Sequence, residues 1–234
     1  MFNNTTVISF PKCGRTWLKV VVGKYLQLKT NETADFLDFN KLTDNNLHFT
    51  HDGSSWADGK PYPATHYKNT HVIMLTRNPY DAFVSYYNHV MHRDQIYHEN
   101  ISSLITSTLD PMGNYKRLYQ RWETNKDIPL SYTVISYEDM HSNPVKTIGK
   151  VIKILTGSID ITVLEEAIEF GKFSNMQKLE QSKSITKDSL AYKGNARAMK
   201  VRSGKVDGYK EHLSDADIKM IDKVLGYESP NNIC

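Results

Sequence analysis

TTVISFPKCGRTWLKVVVGKYLQL, residues 5–28, passes from strand character to helix character within a single turn. Thr5 to Phe10 is β-branched and apolar, the composition of a buried parallel strand, and Pro11 and Gly14 then punctuate it. From Arg15 to Leu28 the apolar residues recur with helical spacing. A strand, a tight turn and a helix in that order aim backbone N–H groups and the positive end of a helix dipole at one point. Lys12 and Arg15 add full charges there, so the turn is built to hold an anion, and a phosphate is the natural one.

Working outward, Asn46–Thr50, His71–Thr76 and Tyr132–Ser136 read as further strands. Helical patterns span Pro79–His92, Ile101–Thr108, Asn114–Glu123, Pro144–Leu155, Ile161–Phe170 and Phe173–Glu180. A final helix runs from a Ser214 cap to Leu225, before Gly226. Strands alternating with helices predict an α/β fold: one domain over residues 1–234, a central parallel sheet flanked by helices, and a P-loop-like phosphate-binding turn after the first strand. Ligands of such a sheet lie beyond the carboxyl ends of its strands. Three segments qualify: Pro11–Trp17, His51–Gly53 and Arg77–Ser85. The polar stretches from Asp52 to about Thr70 and from Gln181 to about Gly208 read as loop, and loops that long are usually functional.

Composition removes several classes. The 234 residues carry 29 basic and 26 acidic side chains, a net charge of +3, with no basic tail or stripe, which argues against nucleic acid as the partner. At 39% apolar, with no run long enough to span a bilayer, no membrane insertion is expected. Two cysteines far apart, Cys13 and Cys234, give no disulfide framework. The N-terminus enters the first strand too soon for a signal peptide, so a cytoplasmic location is expected.

The turn itself admits more than one chemistry. A nucleoside triphosphatase loop would place Lys-Ser/Thr after a second glycine, with the hydroxyl on magnesium. Here Lys12 comes early and the second glycine is missing. Cys13 at a helix N-terminus could serve as a nucleophile with a lowered pKa, but the arginine such a phosphatase needs five residues later is replaced by Lys19. Cys13 reads better as a small filler.

Four motifs in sequence resemble the sulfotransferases that use 3′-phosphoadenosine 5′-phosphosulfate (PAPS). Pro11-Lys12-Cys13-Gly14-Arg15-Thr16-Trp17 is similar to the family's Pro-Lys-Ser-Gly-Thr-Thr-Trp, departing at Cys13 and Arg15. Arg77-Asn78-Pro79-Tyr80-Asp81 with Ser85 matches its second motif, and Arg202-Ser203-Gly204 with Tyr209-Lys210 resembles its third. Tyr137-Glu138-Asp139-Met140 matches another recurring segment. The resemblance implies sulfuryl transfer from PAPS to a hydroxyl of a small-molecule acceptor, releasing adenosine 3′,5′-bisphosphate (PAP) without a metal. It implies that Lys12 stabilises the leaving phosphate, and that Cys13, Gly14, Arg15 and Thr16 surround the 5′-phosphate. Arg77, Ser85, Arg202, Ser203 and Gly204 would hold the 3′-phosphate. Trp17 and Phe173 would flank the adenine, with Tyr137 at its edge.

The acceptor must lose a proton as it attacks, and histidine is the usual base. His51, in Phe49-Thr50-His51-Asp52, resembles the family's Lys-Thr-His, with Phe49 in the lysine's place. His66 is the fallback. His89, His92 and His98 lack the ligand spacing of a metal site and read as solvated or pocket-lining. Tyr115, Tyr119 and Trp122 with Arg117 and Arg121 could stack on nucleic acid, but packing or a pocket wall is the simpler account. The acceptor pocket is expected around 52–67, after Ser85, and at 181–200. Two other readings remain at this stage: a nucleotide-dependent phosphoryl transferase with an atypical phosphate loop, and a non-catalytic nucleotide-binding module. Oligomeric state is not legible.

Overall fold

Every residue of the first strand, β1 (Thr5–Ser9), is buried, and the other elements are laid beside it. The computed structural model describes residues 2–33, 35–55, 60–182 and 196–227. Cys234 and most of the 181–200 acceptor segment lie outside the described residues. After β1 come α1 (Arg15–Thr30), a single helical turn α2 (Phe39–Leu42), β2 (Leu47–Thr50), β3 (His71–Thr76) and α3 (Pro79–His92). Then follow α4 (Ile101–Ile105), α5 (Pro111–Asn125), β4 (Ser131–Ser136), α6 (Tyr137–Ser142) and α7 (Pro144–Thr156). The chain closes with α8 (Ile161–Phe170), α9 (Phe173–Gln181) and α10 (Asp215–Leu225). The expected elements are present, with α2 and α6 added.

The four strands are parallel in the order β2-β1-β3-β4, with Thr5 opposite Leu47 on one side and His71 on the other. The chain therefore leaves β1 toward β2, then crosses back to lay β3 on the far side of β1. That reversal opens a crevice between the carboxyl ends of β1 and β3, where an open α/β sheet binds its ligand. The anion turn and the Arg77 segment leave the sheet at this crevice.

Packing follows the periodicity. Leu18, Val21, Val22, Tyr25 and Leu26 line one face of α1 and are buried in the main core. Val20 points elsewhere and forms a small second core with Met176 of α9 and Val201. Full burial of an aliphatic side chain contributes about 1.5–3 kcal/mol, so this cluster fastens the chain at Val201 to the sheet's helical cover.

The aromatic helix α5 packs against the protein rather than facing a nucleic acid. Tyr115 Oη donates to the carbonyl of Arg77 (2.8 Å), Tyr119 Oη to that of Leu75 (2.9 Å), and Trp122 Nε1 to the Asp52 carboxylate (2.9 Å). Positions 115, 119 and 122 share one helix face, so three polar tips tie down the carboxyl ends of β3 and β2.

Candidate active site

The turn after β1 is shaped by two positive backbone angles, Lys12 at φ 72° and Gly14 at φ 93°. Gly14 has a second reason to be glycine: a Cβ there would stand 2.4 Å from Tyr137 Cδ2. The main chain can approach the aromatic floor only without a side chain.

A cavity of about 250 Å³ opens at the crevice, and its wall includes Lys12, Gly14, Arg15, Thr16, Trp17 and His51. Arg77, Ser85, Tyr137, Phe173 and Arg202-Ser203-Gly204 line the same space. Segments as far apart in sequence as Lys12 and Gly204 thus meet as expected. Cys13 is the exception and corrects the expectation for its side chain. It is buried behind the turn with Sγ 3.6 Å from Tyr119 Oη, and burial pushes its thiol up to about 12. The helix dipole does not prevail there, because burial penalises the thiolate more strongly. Cys13 therefore presents no thiolate to the cavity.

Lys12 keeps some exposed surface while its ammonium sits deep, and its pKa is held well below the usual lysine range. Burial is the first cause, and Lys200, Arg93 and Arg77 follow. Arg77 links the turn to the C-terminal strap: Nη1 donates to the carbonyl of Lys12 (2.9 Å) and Nη2 to that of Lys205 (3.3 Å). Its guanidinium lies over the Tyr137 ring at 4.1 Å, and its buried Nε has no hydrogen-bond partner among the described residues. Asn78 caps α3 by accepting from the N–H groups of Tyr80 and Asp81, and Pro79 starts the helix. Asp81, Val84, Ser85 and Asn88, on one face of α3, line the cavity.

Phe173 meets the Arg-x-Gly motif directly. Gly204 is at φ 66°, and a Cβ there would lie 2.6 Å from Phe173 Cδ2. Trp17 sits edge-on to Tyr137 at 5.9 Å and against His141 at 4.8 Å, a neighbour the sequence did not suggest.

His51 Nδ1 lies 2.8 Å from the carbonyl of Ser9, which can only accept, so Nδ1 carries the proton and Nε2 holds the lone pair. Arg15 Nη2 donates to that lone pair at 2.6 Å. Arg15, expected at the 5′-phosphate, therefore directs its side chain to His51 instead. Burial first, then Arg15, holds the His51 pKa well below the usual histidine range, and the imidazole is neutral at pH 7. His66 is exposed, stacked on Tyr62, and absent from the cavity wall. His89 lines the cavity, whereas His98 is exposed and His92 is not on the wall. No group of three or more histidine, cysteine or carboxylate side chains is placed to hold a metal among the described residues. No described residue of 52–67 lines the cavity, which corrects that part of the expected acceptor pocket; Asn88, His89 and the 198–200 segment do line it.

Two buried carboxylates position the site, and neither was singled out from sequence. Asp52 accepts from Tyr67 Oη (3.0 Å), Arg121 Nη1 (2.6 Å) and Trp122 Nε1 (2.9 Å), fixing the residue next to His51. Glu180 accepts from Arg93 Nη1 (3.1 Å) and from the N–H groups of Lys200 (2.8 Å) and Val201 (3.0 Å). Arg93 also donates to the carbonyl of Ala198 (2.9 Å). The strap that carries Arg202 is thereby clamped between α3 and α9.

The family comparison agrees with this geometry. The sulfotransferase domain family matches residues 3–229, and the chain belongs to that family. Sulfotransferase 6B1 of Danio rerio is 23% identical over 93% of this chain and 75% of its own length. Cytosolic sulfotransferase 13 of Arabidopsis thaliana is 24% identical over 94% and 75%. Among solved structures, mouse sulfotransferase SULT7A1 complexed with PAP shares the fold at a TM-score of 0.67. It is 15% identical over 98% of this chain and 86% of that one. Retinol dehydratase in complex with androsterone and the inactive cofactor PAP matches with a TM-score of 0.67 at 14% identity, over 97% and 82%.

Proposed function

We propose that this enzyme transfers a sulfuryl group from PAPS to a hydroxyl of a small-molecule acceptor, with His51 as base and Lys12 at the leaving oxygen. The observation that carries the assignment is that Lys12, His51 and the Arg77–Arg202 pair share one cavity at the sheet's reversal point. Two features fit a nucleotide carrying separate phosphates. Arg77 has a buried donor without a partner among the described residues. Arg202 has its pKa lowered, by burial first and by Arg77 second, so two like charges are gathered where an anion between them would relieve both.

Bound PAPS supplies a sulfur that bonds to the acceptor oxygen as its bond to the 5′-phosphate oxygen breaks. Lys12 and the N–H groups of the Gly14–Thr16 turn neutralise the charge that gathers on that phosphate oxygen. Arg77, Ser85 and the Arg202–Gly204 strap hold the 3′-phosphate, for which the planar guanidinium fork is suited. Trp17 and Phe173 flank the base, with Tyr137 at its edge. His51, fixed as the Nδ1–H tautomer by Ser9, accepts the acceptor's proton at Nε2 once Arg15 yields that lone pair. Anionic ligands in the cavity offset the cations that lower the His51 pKa and so strengthen it as a base.

The wider setting is proposed on the same footing. The enzyme acts in the cytoplasm, as the names of its cytosolic relatives suggest, and no helix among the described residues is long and apolar enough to cross a membrane. The test is a PAPS-loaded panel of alcohols, phenols and sugars, read by mass for sulfated product. His51→Ala should lower the rate about 10²–10⁴-fold while PAP binding persists. An unchanged rate would remove His51 as the base.

A further inference from the structure

We infer that Asp81 is a positioning residue for the 3′-phosphate: it latches the loop that carries Arg202, Ser203 and Gly204, and acts on the nucleotide only through that loop. This rests on the proposed assignment of Arg202–Gly204 to the 3′-phosphate.

A carboxylate is out of place in a receptor for phosphates. Asp81 nevertheless stands on the cavity wall, 3% exposed, one helical turn before Ser85 on α3. Both of its oxygens are given to the loop. Oδ2 accepts from the N–H of Asp207 (2.8 Å) and Oδ1 from that of Tyr209 (2.9 Å). Hydrogen bonds to an ionised acceptor are roughly twice as strong as neutral ones. An asparagine here would relieve the repulsion of a phosphate, but it offers one acceptor where two donors point. The acid is therefore explained by the loop and not by the ligand.

The loop needs an outside tie. Gly204 and Asp207 both lie in the left-handed region, at φ 66° and φ 58°, and a residue with a side chain persists there only where its surroundings hold it. Upstream, Glu180 of α9 accepts from the N–H groups of Lys200 and Val201. Downstream, Asp81 of α3 does the same at 207 and 209. Arg202, Ser203 and Gly204 thus hang between two carboxylate anchors on different helices. The downstream anchor is itself braced: Asn78 caps the first turn of α3, the Tyr80 ring packs on that of Tyr209 at 4.9 Å, and Tyr80 Oη donates to Asp222 of α10. Arg77 spans the gap, since its Nη2 donates to the carbonyl of Lys205. Releasing 207–209 would loosen Arg202 and remove a brace from Arg77. The turn after β1, which is proposed to meet the 5′-phosphate, would keep its place.

Calorimetric titration with PAP and with AMP tests this on the wild type, Asp81→Asn, Arg202→Ala and the double variant. Asp81→Asn should raise the PAP Kd by about tenfold or more and leave the AMP Kd within about threefold, because AMP has no 3′-phosphate for the loop to hold. In the Arg202→Ala background the same substitution should change the PAP Kd by less than about threefold, since residues that act as a unit are not additive. Equal losses for PAP and AMP, an unchanged PAP-to-AMP ratio, or the full loss persisting without Arg202 would each overturn the inference. The wild-type protein gives an independent reading. With each nucleotide at the same multiple of its Kd, PAP should slow hydrogen exchange at the Asp207 and Tyr209 amides by about fivefold or more beyond AMP. Equal protection overturns the inference, whether or not Asp81→Asn folds. A wild-type protein that binds PAP no better than AMP removes the 3′-phosphate assignment itself, and this inference with it.

Discussion

Replacing Glu180 by glutamine removes one charge from a place without water. Glu180 is fully buried and its partner Arg93 is 5% exposed at the side chain, so solvent does little to screen the pair. The amide oxygen of glutamine can keep Arg93 and the Lys200 N–H, both of which use Oε1. Its NH2 group then faces the Val201 N–H, which Oε2 now accepts at 3.0 Å, and a hydrogen bond becomes a donor–donor contact. The buried Arg93 loses the carboxylate it pairs with, a defect that costs about 3–5 kcal/mol. For a chain of this size that is a fall in Tm of about 6–20 °C. Where the strap lets go without global unfolding, the same free energy appears as weaker PAP binding, about tenfold for each 1.4 kcal/mol. Urea denaturation and calorimetric titration of PAP measure the two outcomes. A Glu180→Gln protein with wild-type stability and wild-type PAP affinity would refute the clamp.

Asp52→Ala strands the donors of Tyr67 and Trp122 in the core and takes the carboxylate from Arg121 at its edge. It should cost about 3–5 kcal/mol in urea denaturation, with kcat falling more than KM rises because His51 loses its anchor; a loss below about 1 kcal/mol would contradict that. Histidine burial sets a pH dependence of stability. His51 and His89 have depressed native pKa values, so below about pH 6.5 the unfolded chain takes up protons that the native site refuses. Stability is therefore complete above that pH and falls as pH falls, by up to about 1.4 kcal/mol per unit for each histidine. Urea midpoints at pH 7.0 and 5.5 should show the decline, and His51→Gln should make it shallower; an equal decline in the variant would contradict the assignment.

Much of this architecture is written locally. The β-branched runs at 5–10 and 71–76, Pro79 after the Asn78 cap, and the Ser214–Asp217 capping box each satisfy their own backbone within a few residues. Such features survive in sequence because their partners are neighbours. Cys13 shows the limit of that reasoning. Its helix-start position argues for a reactive thiolate, but Tyr119, over a hundred residues away, and the surrounding core give the opposite result. Arg93 and Glu180 are separated by 87 residues and carry no motif, so their clamp appears only when α3 and α9 meet. Asp52 had a faint signal, a carboxylate beside the candidate base at a strand end, but its three donors come from distant positions. α2, a single turn held by the Asp38 cap, is too short for periodicity to reveal. The departures from the family motif at Arg15 and Phe49 were visible at once, whereas their consequence, a cationic surround for His51, needed α1 and β2 side by side.

The central claim is that the anion turn and the Arg77–Arg202 strap form one receptor for two phosphates. Calorimetric titration with PAP and with AMP tests it most directly. Two arginines each making charged hydrogen bonds of about 1.5–3 kcal/mol should hold PAP about 10²–10⁴-fold more tightly than AMP, and Arg77→Ala should remove most of that margin. Equal affinities for PAP and AMP in the wild-type protein would contradict it.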